Sequence, residues 1–121
     1  MTSKDVKIGG LTVSNDRPLL VIAGPCQLES LDHAQMIAGV LAEACKAAGA
    51  QFVFKASYDK ANRTSLGGKR GLGIDEGLKV LQAVKSATGC PVLTDIHSID
   101  QCALAASVCD VLQIPAFLSR Q

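Results

Sequence analysis

Cations, hydroxyls and glycines crowd into one stretch of this sequence. In FKASYDKANRTSLGGKRGLG, residues 54–73, Lys55 and Lys60 bracket Ser57, and Asn62, Arg63, Thr64 and Ser65 follow at once. Lysine and arginine neutralise a phosphate, and hydroxyls and amides supply the donors that its oxygens need. Gly67, Gly68, Gly71 and Gly73 let backbone approach a ligand closely or let a segment fold over it. A solvated polar loop would share this composition. Yet the 17 residues from Ser57 to Gly73 carry no helix or strand pattern, which is unusual in a compact domain unless the loop is functional.

Other candidates stand at separate places in the chain. In AGPCQLES, Gly24 and Pro25 force a turn that presents Cys26. A thiol there is either a metal ligand or nucleophile, or a small buried hydrophobe, the usual fate of a lone cysteine. In TDIH, Asp95 and His97 alternate with Ile96 and so point to one side of a strand. They could hold hydroxyls or tune a proton transfer; the competing reading is a cap for the following helix. Gln113 closes a short apolar run and can reach the same place, and Arg120 follows one turn later, where the pattern alone favours an ordinary exposed arginine. Cys45, Cys90, Cys102 and Cys109 read as core, His33 as surface, and Asp75-Glu76 as the first turn of a helix, favoured by its dipole.

The elements that position these residues are regular. VKIGGLTVSND reads as a hairpin around Gly9-Gly10. LLVIAGP, QFVFKA, PVLTDI and DVLQIP are short apolar strands. Between them, LDHAQMIAGVLAEACKAAGA and IDEGLKVLQAVKSATG carry apolar residues at helical spacing, and IDQCALAASVC is a shorter third helix. Ser30 caps the first helix and Gly49 ends it. Alternating strands and helices imply a parallel sheet with right-handed crossovers. Doubly wound sheets place ligands only at the switch point of strand order. Here Cys26, Lys55, Ser57, Asp95, His97 and Gln113 fall at the C-terminal ends of all four strands, which favours a (β/α)8 TIM barrel, where all such ends converge.

A barrel takes roughly 250 residues, and 121 residues make about half of one. The expected organisation is a single partial domain, with a hairpin over 1–16 and the first half of a barrel over 17–121. Its first and fourth sheet strands would be bare edges that invite aggregation, so the chain is expected to be partial or to associate with another half. A net charge of +1 argues against a general nucleic-acid or membrane-surface binder. Hydrophobic residues at 48% support a globular core, and only four aromatic residues make that core aliphatic. Five scattered cysteines without a CxxC pair argue for a reducing compartment, and no apolar leader or span is present, so the cytoplasm is expected.

Taken together, AGPCQLES, FKASYDKANRTS, RGLG, TDIH and QIPAFLSRQ, in this order and spacing, resemble the 3-deoxy-D-manno-octulosonate 8-phosphate synthase family, over the whole chain but only its N-terminal part. KANRTS is the most specific element; the related 3-deoxy-arabino-heptulosonate 7-phosphate synthases, which use erythrose 4-phosphate, usually carry a KPRTS-like segment. The resemblance implies condensation of phosphoenolpyruvate with D-arabinose 5-phosphate, releasing phosphate, on the route to a lipopolysaccharide sugar. It implies that Lys55, Ser57, Lys60 and Gln113 face phosphoenolpyruvate, with Lys60 and Asp95 at the reacting centre. Asn62, Arg63, Thr64 and Ser65 would hold arabinose 5-phosphate, and Asp95 would approach its hydroxyls or the metal region. Arg120 would reach the sugar phosphate of a neighbouring subunit in a homo-oligomer, a tetramer in the family. Cysteine rather than asparagine at Cys26 implies a divalent metal, and one soft sulfur favours iron, zinc, manganese or cobalt over magnesium. The remaining metal ligands and phosphate-binding cations are expected outside these 121 residues, so the chain alone is expected to lack synthase activity. A non-catalytic sugar-phosphate-binding half-barrel is the alternative from another class.

Overall fold

The structure, a computed structural model, describes residues 4–59 and 72–120. Strands β1 (Val6–Ile8) and β2 (Leu11–Val13) form an antiparallel hairpin whose two-residue turn is Gly9-Gly10. Gly9 has a φ of 55°, a left-handed conformation that favours glycine. A Cβ there would lie 3.1 Å from Asp110 and 3.3 Å from Pro91. The hairpin therefore packs against the end of the sheet where its strands begin.

The sheet holds β3 (Leu20–Ala23), β4 (Gln51–Lys55), β5 (Val92–Asp95) and β6 (Val111–Gln113), all parallel and in sequential order. Helices α1 (Leu31–Ala48), α2 (Ile74–Thr88) and α3 (Gln101–Ala106) make the crossovers. The chain is thus α/β with a parallel sheet. Right-handed crossovers in sequential order put the helices on one face. The signals at the ends of α1 act as read. Ser30 Oγ accepts from the His33 N–H, and Gly49 closes the helix in the left-handed region. The stripe Leu78, Leu81 and Val84 of α2 is buried.

Side-chain alternation divides each strand between two faces. Phe52, Phe54 and Ala56 of the β4 segment and Val92 of β5 join α1 and α2 in one core, with Val21, Ala23, Ile96 and Leu112 packed against it. The alternate positions, Val53, Lys55 and Ser57, then Leu93 and Asp95, then Val111 and Gln113, face away from the helices. They are apolar where the strands begin and polar where they end.

The structure also trims the reading. Helix α3 ends at Ala106 and does not extend to Cys109. After β6 the backbone makes one 3-10 turn, Ala116–Leu118. All five cysteines are unpaired thiols; Cys45 and Cys109 are buried, whereas Cys90 and Cys102 are half-buried. Burial, reinforced by the Asp110 carboxylate, pushes the Cys109 thiol up to about 12, so it stays protonated and inert. Among the described residues no helix is long and apolar enough to cross a membrane.

Candidate active site

The site begins with a close backbone approach. Past Ala23 the chain turns at Gly24 and Pro25, then returns to pairing, with a parallel bridge between Gln27 and Ser57 and a 2.9 Å bond from the Leu28 N–H to the Ser57 carbonyl. The turn passes so near β4 that a Cβ on Gly24 would sit 1.7 Å from the Lys55 carbonyl oxygen. This contact sets the mouth of β4 beside the AGPCQ segment. Cys26 sits at the exposed crest of that turn, one residue from the bridge.

Ser57 and Asp95 are both buried, at 2% and 7% exposure, and the Ser57 hydroxyl donates to Asp95 Oδ1. The other carboxylate oxygen lies 3.1 Å from His97 Nε2. Nε2 therefore carries a proton, and in the neutral imidazole Nδ1 is the acceptor. That Nδ1 is buried and has no partner among the described residues, as does Gln27 Oε1. Asp95 is also paired across the sheet with Gln113. Asp95 is thus no helix cap; it is the acceptor at the centre of a polar cluster.

A cleft of about 200 Å³ opens over this cluster, lined by Lys55, Ser57, Asp59, Asp95, His97 and Gln113, with Pro115 to Phe117 as its apolar wall. Two grooves of about 570 Å³ lie elsewhere, one between the hairpin and β3 and one between α2 and α3. None of the buried polar residues among those described lines either of them. Tyr58, just outside the cleft, donates its hydroxyl to Gln101 Oε1 at 2.5 Å. Burial, then the Asp95 and Asp59 carboxylates, push its pKa up to about 12, so it remains a neutral donor.

The structure therefore brings together Lys55, Ser57, Asp95, His97 and Gln113 among the expected residues, and adds Asp59. Cys26 and Arg120 do not line the cleft; Arg120 is exposed beyond the 3-10 turn. Lys60, Asn62, Arg63, Thr64 and Ser65 lie outside the described residues. The ends of their segment are fixed, however: the Gly73 N–H bonds the Tyr58 carbonyl at 3.2 Å, so the chain leaves and re-enters beside the cleft. Gln27, Tyr58 and Gln101 stand outside the expected set. Only the lone tyrosine inside FKASYDK offered a sequence signal; glutamines at a turn and at a helix start offer none.

The described residues contain no group of three histidine, cysteine or carboxylate side chains able to hold a metal. Cys26 is an accessible soft donor, and by itself it makes no complete metal centre.

Residues 2–121 match the DAHP synthetase I family. Proteins named 2-dehydro-3-deoxyphosphooctonate aldolase from Rickettsia bellii, Rhizobium meliloti and Agrobacterium fabrum are 53%, 56% and 58% identical to the chain, over 118, 113 and 107 residues. Those alignments cover 98%, 93% and 88% of this chain but 43%, 40% and 38% of the relatives. The chain spans about two fifths of the length of these relatives.

Proposed function

Because the chain belongs to the DAHP synthetase I family, we propose that it forms part of a transferase that condenses phosphoenolpyruvate with D-arabinose 5-phosphate, giving 3-deoxy-D-manno-octulosonate 8-phosphate and phosphate. What carries this reading is the gathering of Lys55, Ser57, Asp95 and Gln113 in one cleft, on a chain 53% identical to a protein named for the octulosonate. The proposed architecture is the hairpin of residues 1–16 followed by the first half of a (β/α)8 barrel. Its support is the sequential parallel order of the strands and the half-exposed Ile22 on the open strand β3, which a closed barrel would cover.

In this reading the enol carbon of phosphoenolpyruvate attacks the sugar aldehyde. Water adds to the neighbouring carbon, and the bond from that carbon to the phosphate oxygen breaks. Lys55 neutralises an anionic oxygen of phosphoenolpyruvate, and Ser57 and Gln113 fix its orientation. Lys60, Asn62, Arg63, Thr64 and Ser65 complete the grip on both anions from the segment anchored at Tyr58 and Gly73. Asp95 keeps spare acceptor sites on both oxygens for sugar hydroxyls, and His97 Nδ1 can accept another. A divalent iron, zinc, manganese or cobalt ion held by Cys26, with ligands from outside this chain, would polarise the aldehyde or orient water. Arg120, exposed and away from the cleft, suits a role across a homo-oligomer interface. The cytoplasm is the proposed compartment.

A turnover assay of the complete gene product tests this reading. It should release phosphate from phosphoenolpyruvate with arabinose 5-phosphate at a kcat/KM at least about 100-fold above that with erythrose 4-phosphate. A preference for erythrose 4-phosphate would make it a heptulosonate synthase. Binding of either sugar without phosphate release would favour a non-catalytic sugar-phosphate protein.

A further inference from the structure

One side-chain oxygen ties together two segments that leave the sheet beside the cleft. Gln101 opens α3, and its Oε1 accepts from the His97 backbone N–H at 2.9 Å and from the Tyr58 hydroxyl at 2.5 Å. His97 follows β5, and Tyr58 follows β4. The backbone N–H can only donate, so the oxygen, not the amide nitrogen, must face it. The Tyr58 ring meets the His97 ring edge-on, with centroids 5.7 Å apart and planes at 84°. Backbone and ring of His97 are thus held by one Tyr58–Gln101 unit, and His97 in turn meets Asp95 at 3.1 Å. Asp100, which precedes α3, makes no side-chain cap bond, so the turn lacks the commoner tie. Tyr58 and Gln101 do not line the cleft.

We propose that Gln101 is a positioning residue: its carboxamide oxygen, shared by the His97 N–H and the Tyr58 hydroxyl, sets how the Asp95–His97 pair faces the cleft. Without that acceptor the turn after β5 relaxes and the pair loses its aim at the sugar. The kinetic part of this inference rests on the proposed condensation; the geometric part does not.

The test compares Gln101→Leu, which removes the acceptor, with Gln101→Glu, which keeps an oxygen in its place, in the complete gene product. Amide exchange of His97, read by NMR, should accelerate about tenfold or more in Gln101→Leu and return toward the original rate in Gln101→Glu. The kcat/KM for arabinose 5-phosphate should fall about tenfold or more in Gln101→Leu, with the KM for phosphoenolpyruvate within about twofold, and recover in Gln101→Glu. If Gln101→Leu does not fold, Tyr58→Phe replaces it: the ring stays, the second arm of the bridge is lost, and the sugar-specific defect should appear in milder form. Unchanged His97 exchange and unchanged kinetics in a folded variant would overturn the proposal. So would equal defects in the leucine and glutamate variants, or loss of both substrates alike. If the unaltered enzyme turns over neither substrate pair, the condensation falls, and His97 exchange still decides the role of Gln101.

Discussion

Gly24→Ala is expected to cost more than about 3 kcal/mol, out of a total stability of about 5–15 kcal/mol for a domain. An added methyl would stand 1.7 Å from the Lys55 carbonyl oxygen and 2.8 Å from its carbon. Both obstacles are backbone, and the Lys55 peptide is fixed in β4, so no rotamer change relieves the clash. Either the turn or the strand must move, and the Gln27–Ser57 bridge beyond it opens. The damage reaches the site, because Lys55 and Ser57 line the cleft. Thermal and denaturant unfolding measure the effect. Gly39→Ala is the control: a Cβ there meets nothing within 4 Å. Gly39 lies inside α1, where alanine stabilises by roughly 0.5–1 kcal/mol. Equal midpoints for the two variants would contradict the packing described.

Asp95→Asn should lower kcat about 100-fold or more while leaving the protein folded. The carboxylate accepts from Ser57 with one oxygen and from His97 Nε2 with the other. An asparagine keeps the volume and one acceptor but sets an N–H₂ against one of those two donors. If it faces His97, the imidazole must turn or change tautomer, and Nδ1 ceases to be the open acceptor. If it faces Ser57, the hydroxyl loses its acceptor in a buried place, at about 1–3 kcal/mol. Either arrangement changes the groups offered to a sugar hydroxyl. Steady-state kinetics of folded Asp95→Asn against both substrates checks this. A kcat within a few-fold of the unaltered enzyme would remove Asp95 from the proposed reacting centre.

Much of the architecture was legible because its signals are local. Ser30 and Gly49 bound α1 by their own hydrogen bonding and backbone conformation. The Gly9-Gly10 turn lies where the pattern placed it. The site was half legible: strand-end polarity points to Cys26, Lys55, Ser57, Asp95, His97 and Gln113, and all of these except Cys26 line the cleft. Bounds of α3 were not. Ile99 looked like a helical apolar position, yet it is 92% exposed, and the run ends at a turn whose N–H groups bond back to Ala105. Gln101 and Tyr58 are illegible for another reason. Their roles depend on partners 4 and 43 residues away, and nothing local announces a shared acceptor. Cys26 illustrates the same limit: its turn is written in Gly24-Pro25, while no set of side chains able to hold a metal is gathered among the described residues.

A structure of the complete gene product with phosphoenolpyruvate bound tests the location of the chemistry most directly. The ligand should lie in the cleft at the ends of β4, β5 and β6, with an anionic oxygen against Lys55 Nζ and further oxygens within reach of Ser57 and Gln113. A ligand seated at the opposite end of the sheet, near Lys85 and Asp110, or in the groove between α2 and α3, would contradict the account.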